Sequence, residues 1–214
     1  MAVVAVIGAG KLGGALARRA RAAGHTVRVA GRLDGAAFRE RVALAVPGAQ
    51  AASVEDAVRG ADLVVLALPL GEHRRLDPTL LAGHVVVDAM NDWPAAGSAG
   101  TTTAGEDSST RVQRDLPGAS VVKAFNHVGY HDLDDEPLRG ASPRRALAVA
   151  GDDRAATRTV AAFVESLGFD AVDAGPLARG VDFALGTPAF AASWTASELG
   201  VLLTSARRPL LVAA

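Results

Sequence analysis

The sequence contains no cysteine, and that absence excludes a disulfide framework, a thiolate nucleophile and any Cys-ligated metal. Aromatic residues are scarce, at 4% with a single tyrosine, Tyr130. Lysine is scarcer still: of 22 basic residues only Lys11 and Lys123 are not arginine. No sign of charge dominates, since the formal net charge is −1. Without basic or acidic blocks, neither nucleic acid nor a charged membrane surface is an expected partner. No apolar run reaches the ~18 residues that a spanning helix requires. The opening M-A-V-V-A-V-I-G-A-G has no basic residue before its apolar run and meets glycine at once, so it reads as a first strand and not a leader. A cytoplasmic protein with no membrane contact is the expectation.

What is present is apolar and alternating. Half of the 214 residues are hydrophobic, enough for one large core. Strand-like runs at Ala2–Ile7, Thr26–Ala30, Ala49–Ala52, Asp62–Leu68, His84–Asp88 and Ala119–Ala124 alternate with helical stretches near residues 11–23, 38–46, 54–59 and 109–116. The continuous apolar runs fit strands covered on both faces, so the fold class is α/β with a doubly wound, mostly parallel sheet. Residues 1–140 are expected to form a dinucleotide-binding Rossmann domain. Residues 141–214 add a β-α-β extension (146–150, 155–167, 171–173) and C-terminal helices on the same sheet. Thr187-Pro188 reads as the start of a final apolar helix, Thr as cap and Pro in the first turn. That helix would pack on the sheet or help complete a pocket in a homodimer. The small, polar stretch 94–110 reads as a long loop beside a site.

Gly8-Ala9-Gly10-Lys11-Leu12-Gly13 matches G-x-G-x-x-G directly between a strand and a helix. In that context the first glycine permits a tight turn and the second lets backbone approach a pyrophosphate. The third allows close helix–strand packing, and the helix N-terminus attracts phosphate. At the end of the second strand, where an acidic residue marks NAD, stands Arg32. A guanidinium pairs with a 2′-phosphate, so NADP(H) is the expected cofactor, although nearby Asp34 is also able to accept a ribose hydroxyl.

Ligands in such sheets lie outside the carboxyl ends of the strands. Collected there are Leu68 and Pro69, then Asn91, then Lys123-Ala124-Phe125-Asn126-His127. Lys123 sits in an apolar run and needs a counter-charge, for which Asp88 and Asp92 are candidates. His127 and Tyr130 are candidate proton donors. His127 and His131 stand four apart among acidic residues, but Gly129 and Pro137 favour a solvated acidic loop over a metal site; no metal is expected.

The stretches V-I-G-A-G-K-L-G, A-L-P-L, V-V-V-D-A-M-N, V-V-K-A-F-N, A-V-A-G-D-D and E-S-L-G-F-D-A-V-D-A-G-P-L occur in an order spanning nearly the whole chain. In these the chain resembles the NADP-dependent deazaflavin-coenzyme (F420) reductases. The resemblance, which the length of the chain fits, implies a Rossmann core and hydride exchange between NADP(H) and a deazaflavin stacked on the nicotinamide. It places Gly8, Gly10, Lys11, Leu12 and Gly13 at the pyrophosphate and Arg32 at the 2′-phosphate. It places Leu68, Pro69, Ala124, Phe125 and Asn126 around the nicotinamide. The chain has Gly31 where such proteins often have Ser, Ala36 where a basic residue is common, and His127 where Thr is common.

Three functions follow as expectations. The first is an oxidoreductase passing hydride between NADP(H) and a deazaflavin or flavin. The second is an NADPH-dependent reductase of a small carbonyl or imine, with His127 as acid. The third is a non-catalytic NADP(H) sensor, for which the sequence offers no recruitment feature.

Overall fold

The computed structural model describes residues 1–32, 35–93, 107–135 and 142–206. The eight strands are β1 (Val3–Ile7), β2 (Thr26–Ala30), β3 (Gln50–Ala51), β4 (Leu63–Leu66), β5 (Val85–Asp88), β6 (Ser120–Lys123), β7 (Ala146–Gly151) and β8 (Asp170–Gly175). They form one sheet in the order 3-2-1-4-5-6-7-8, parallel throughout except that β7 runs antiparallel to β6. The helices are α1 (Lys11–Ala22), α2 (Gly35–Ala45), α3 (Val54–Val58), α4 (Ser108–Asp115), α5 (Tyr130–Asp135), α6 (Arg154–Ser166) and α7 (Ala196–Ser205). This is the α/β, doubly wound arrangement that the apolar runs implied.

The runs are continuous because successive residues feed different cores. In β1, Val4 and Val6 belong to one buried cluster and Ala5 and Ile7 to the cluster on the other face. Leu63 and Val65 divide from Val64 and Leu66 in the same way. With β4 wholly buried, a polar residue at any of these positions would lose water on either face. Beyond β6, a third cluster joins Ala146, Ala148 and Ala150 of β7 to Leu199 and Leu203 of α7.

Two expectations are corrected. The last helix begins at Ala196, not at Thr187-Pro188, because a capping box stands at Thr195: its hydroxyl accepts from the Glu198 amide while the Glu198 carboxylate accepts from the Thr195 amide. The Thr187 hydroxyl instead donates to the Ala184 carbonyl and closes a turn. The stretch after Gly129 is helical, not a solvated loop. Its carboxylates pair, Asp134 with Arg18 and Asp132 with Arg145, and Arg19 donates to the Leu133 carbonyl, so α5 is clamped to α1. Asp34, Glu136, Pro137 and most of the 94–110 loop lie outside the described residues. Among the described residues, no helix is long and apolar enough to cross a membrane.

Candidate functional site

The strand order reverses between β1 and β4, and two cavities open there. A deep cavity of about 500 Å³ is lined by Gly10, Lys11 and Leu12 of the glycine turn, by Leu68 and Pro69 after β4, and by the ends of β5 and β6. A flanking cavity of about 460 Å³ shares Gly10, Ala67, Leu68 and Pro69 with it and extends past Gly8 to Arg32. Together they run along the carboxyl ends of the strands from β2 to β6.

The glycine turn is tight by necessity. Gly8 has φ of 120°, and a Cβ there would collide with the Ala67 carbonyl. A Cβ on Gly13 would overlap the Gly8 carbonyl, so α1 packs directly on the turn. At Gly10 a Cβ would meet nothing within 4 Å; that side of the turn is open to the cavities. Ser53, Asp107, Asp153 and Thr195 cap α3, α4, α6 and α7 with side-chain oxygens. Gly10 gives α1 no such cap, and no acidic residue stands in its first turn. The amides and the positive dipole end there remain directed to an anion, which fits a dinucleotide pyrophosphate.

The deeper wall is built on a buried ion pair. Asp88 and Lys123 are register partners in β5 and β6. The Lys123 ammonium donates to Asp88 at 3.2 Å and to the Met90 carbonyl at 2.7 Å, with both side chains at most 2% exposed. Asp88 also accepts from the Ser109 hydroxyl and the Met90 amide. The sequence-based candidate Asp88 is therefore the counter-charge; Asp92 pairs with Arg111. Above this pair, the Asn91 amide donates to the Asn126 carbonyl at 2.7 Å, and the Asn126 amide reaches the Phe183 carbonyl at 3.0 Å. Both asparagines line the deep cavity.

Other candidates fall elsewhere. Ala124 and Phe125 are fully buried and do not line either cavity. Phe125 adopts φ of 63°, which turns its ring into the core against Phe163, 5.8 Å between centroids. It can offer a bound molecule backbone only.

His127 fills a gap in the sheet. The β6–β7 register, Val122 opposite Gly151 and Lys123 opposite Ala150, would next set residue 125 against Ala148. Phe125 turns away, and the His127 Nε2 accepts the Ala148 amide proton at 3.0 Å in its place. Nδ1 then carries the proton, toward the Asn126 carboxamide oxygen at 3.3 Å. Burial, with smaller contributions from the charges of Arg145 and Lys123, pushes the imidazole down to about 3. The ring is neutral and its one N–H is already committed, which does not favour the proton-donor role expected of it.

A pH consequence follows. Between about 3 and 6.5 the unfolded chain binds a proton that the folded ring refuses, so this contribution is complete above 6.5 and lost as pH falls. The loss approaches ~1.4 kcal/mol per pH unit for this group alone. His127→Asn should lower stability near neutrality yet fall less steeply in acid, as urea midpoints for both proteins across this range would register. Parallel acid slopes would mean that the folded ring titrates normally.

Sequence reasoning gave the segment after Pro188 to the sheet or to a pocket shared in a homodimer; in this structure it lines the deep cavity of its own chain. Phe190 and Ala191 reach the deep cavity from the segment before α7, held by the Ala191 amide on the His127 carbonyl at 2.9 Å. Ala191 has φ of 55°, a turn that no glycine announces. Phe190 meets Trp93 edge-on at 5.9 Å, and Trp93 is 60% exposed. Tyr130 also lines the cavity, with the Lys11 ammonium 5.3 Å from its ring centre. Among the described residues no group of three or more His, Asp or Glu side chains is placed to hold a metal.

The family described as NADP oxidoreductase, coenzyme F420-dependent, matches residues 3–92. A structure of a hypothetical protein from Sinorhizobium meliloti is 32% identical, covering 91% of this chain and 96% of its own, with a TM-score of 0.81. The chain belongs to this F420-dependent NADP oxidoreductase family. A candidate F420-dependent NADP reductase from an Arthrobacter species is 28% identical over 83% of the chain and 86% of its own, at a TM-score of 0.70. An imine reductase from Bacillus cereus, 22% identical at a TM-score of 0.61 over 84% of this chain, shares the fold; this chain covers 56% of its length. No curated protein matches. The family's chemistry is NADP-dependent oxidoreduction, and the open glycine turn and Arg32 rim fit that cofactor.

Proposed function

We propose that the protein transfers hydride between NADP(H) and a planar deazaflavin or flavin coenzyme bound in the deep cavity. The observation that carries this reading is the state of His127. Ring-to-ring transfer needs position and exclusion of water and no acid at the acceptor. The buried, neutral, doubly engaged imidazole suits that requirement. NADP(H) supplies the hydride-carrying ring when bound.

The residues divide the remaining work. Gly8, Gly10, Lys11, Leu12 and Gly13 would hold the pyrophosphate at the α1 N-terminus, and Arg32 the 2′-phosphate. Leu68 and Pro69 would floor the nicotinamide ribose. Asn91 and Asn126, locked to one another, would present fixed polar edges to the ring. Trp93 and Phe190, at the cavity mouth, would flank a flat acceptor and keep water from it.

A reductase of a small carbonyl or imine is the second reading, and Tyr130 favours it. Its phenol is a donor on the cavity that the histidine does not replace. The two are separated by following NADPH oxidation with the deazaflavin coenzyme, FMN and a carbonyl and imine panel in parallel. The expected result is turnover with the deazaflavin that Tyr130→Phe leaves within about twofold. Turnover only with carbonyls or imines, falling ~100-fold or more in Tyr130→Phe, would transfer the assignment to the second reading. Tight NADPH binding with no acceptor turned over would favour a sensor.

A further inference from the structure

We propose that Arg41 of α2 is a second cation for the 2′-phosphate of NADP(H), and so a determinant of cofactor choice beside Arg32. The inference rests on the cofactor part of the function proposed above and is independent of the acceptor.

Arg32 at the end of β2 and Arg41 both line the flanking cavity, next to Gly8, Ala9 and Gly10 of the glycine turn. The placement of Arg41 follows from the way α2 packs. Phe38 and Val42, four apart, are its buried residues and face the core. Arg41, three after Phe38, flanks that buried stripe, and its guanidinium carbon lies 5.7 Å from the centre of the Phe38 ring. The Phe38 ring in turn lies against the backbone at Gly31, where a Cβ would approach it to 3.0 Å. Gly31, Phe38 and Arg41 therefore stack outward from the end of β2, and Arg41 stands over the aromatic ring on the cavity that Arg32 also lines.

The charges in this cavity favour a dianion. Its carboxylate, Glu72, is engaged by Arg75 at 3.3 Å. Among the described residues neither Arg32 nor Arg41 forms an ion pair, so both guanidinium groups have donors for an incoming phosphate. A guanidinium paired with phosphate makes charge-assisted, often bidentate bonds, whereas a ribose 2′-hydroxyl gains nothing comparable. Two arginines reaching the same phosphate from a strand end and from the next helix would clamp it from two directions.

The test is the binding of NADPH, NADH and adenosine 2′,5′-bisphosphate to the intact protein, by titration calorimetry, for wild type, Arg32→Ala, Arg41→Ala and Arg41→Lys. Arg41→Ala should weaken NADPH and the bisphosphate about tenfold and leave NADH within about twofold. Arg41→Lys should fall between, keeping the charge without the fork. Because Arg41 is exposed, the unliganded melting temperature should be unchanged. If wild type binds NADPH and NADH equally, the cofactor reading itself fails and Arg41 with it. If wild type prefers NADPH and Arg41→Ala keeps the same preference, only the role of Arg41 is overturned.

Discussion

Lys123→Ala is expected to lower the free energy of unfolding by about 3–5 kcal/mol, the largest single effect among the site residues. The cost arises less from losing an attraction than from what is left behind. Asp88 is fully buried, and without the ammonium its charge keeps only the Ser109 hydroxyl and the Met90 amide. The Met90 carbonyl loses its 2.7 Å donor at the same time. Removing both charges should be milder, so Lys123→Met combined with Asp88→Asn should recover much of the loss. Urea unfolding of Lys123→Met, Asp88→Asn and the double variant measures the coupling. A loss under about 1 kcal/mol in Lys123→Ala would mean that water reaches the pair and that it does not anchor the wall.

Gly13→Ala is expected to abolish measurable NADPH binding, with a loss of affinity of ~100-fold or more, while costing about 1–3 kcal/mol of stability. One methyl group cannot be placed beside the Gly8 carbonyl unless α1 moves away from β1. That movement carries the helix N-terminus from the position where its amides meet an anion. Gly10→Ala is the informative comparison, because its methyl meets no protein atom and should leave folding intact while obstructing the ligand. Calorimetric titration and thermal melting together separate the two. Full NADPH affinity in Gly13→Ala would show that the turn has slack.

How much of this was legible in the sequence depends on which residues carry their own signal. The strands announced themselves because both faces are covered, which forces unbroken apolar runs such as Leu63–Leu66. Lys123 was legible as a charge in need of a partner, but the sequence left Asp88 and Asp92 both open, and only the β5–β6 register decides for Asp88. Phe125 was not legible: nothing in a phenylalanine announces φ of 63°, and that turn decides which way its ring faces. His127 looked available for chemistry because its partner, the Ala148 amide, belongs to a strand whose antiparallel direction the local sequence does not encode. Arg41 was hidden among twenty arginines, since its place depends on Phe38 packing beneath it. The Thr195 capping box was readable from Thr-x-x-Glu, but Thr187-Pro188 offered a competing start eight residues earlier.

The two cavities draw on different lengths of the sequence. Among the described residues, those that border the flanking cavity all lie between Gly8 and Glu72. The deep cavity also draws on Phe190 and Ala191, which the Ala191 amide ties to the His127 carbonyl. One is bordered by residues near one another in sequence, and the other joins residues from Gly10 to Ala191. A change at Phe190 or Ala191 would therefore alter the wall of the deep cavity and touch none of the described residues that border the flanking one.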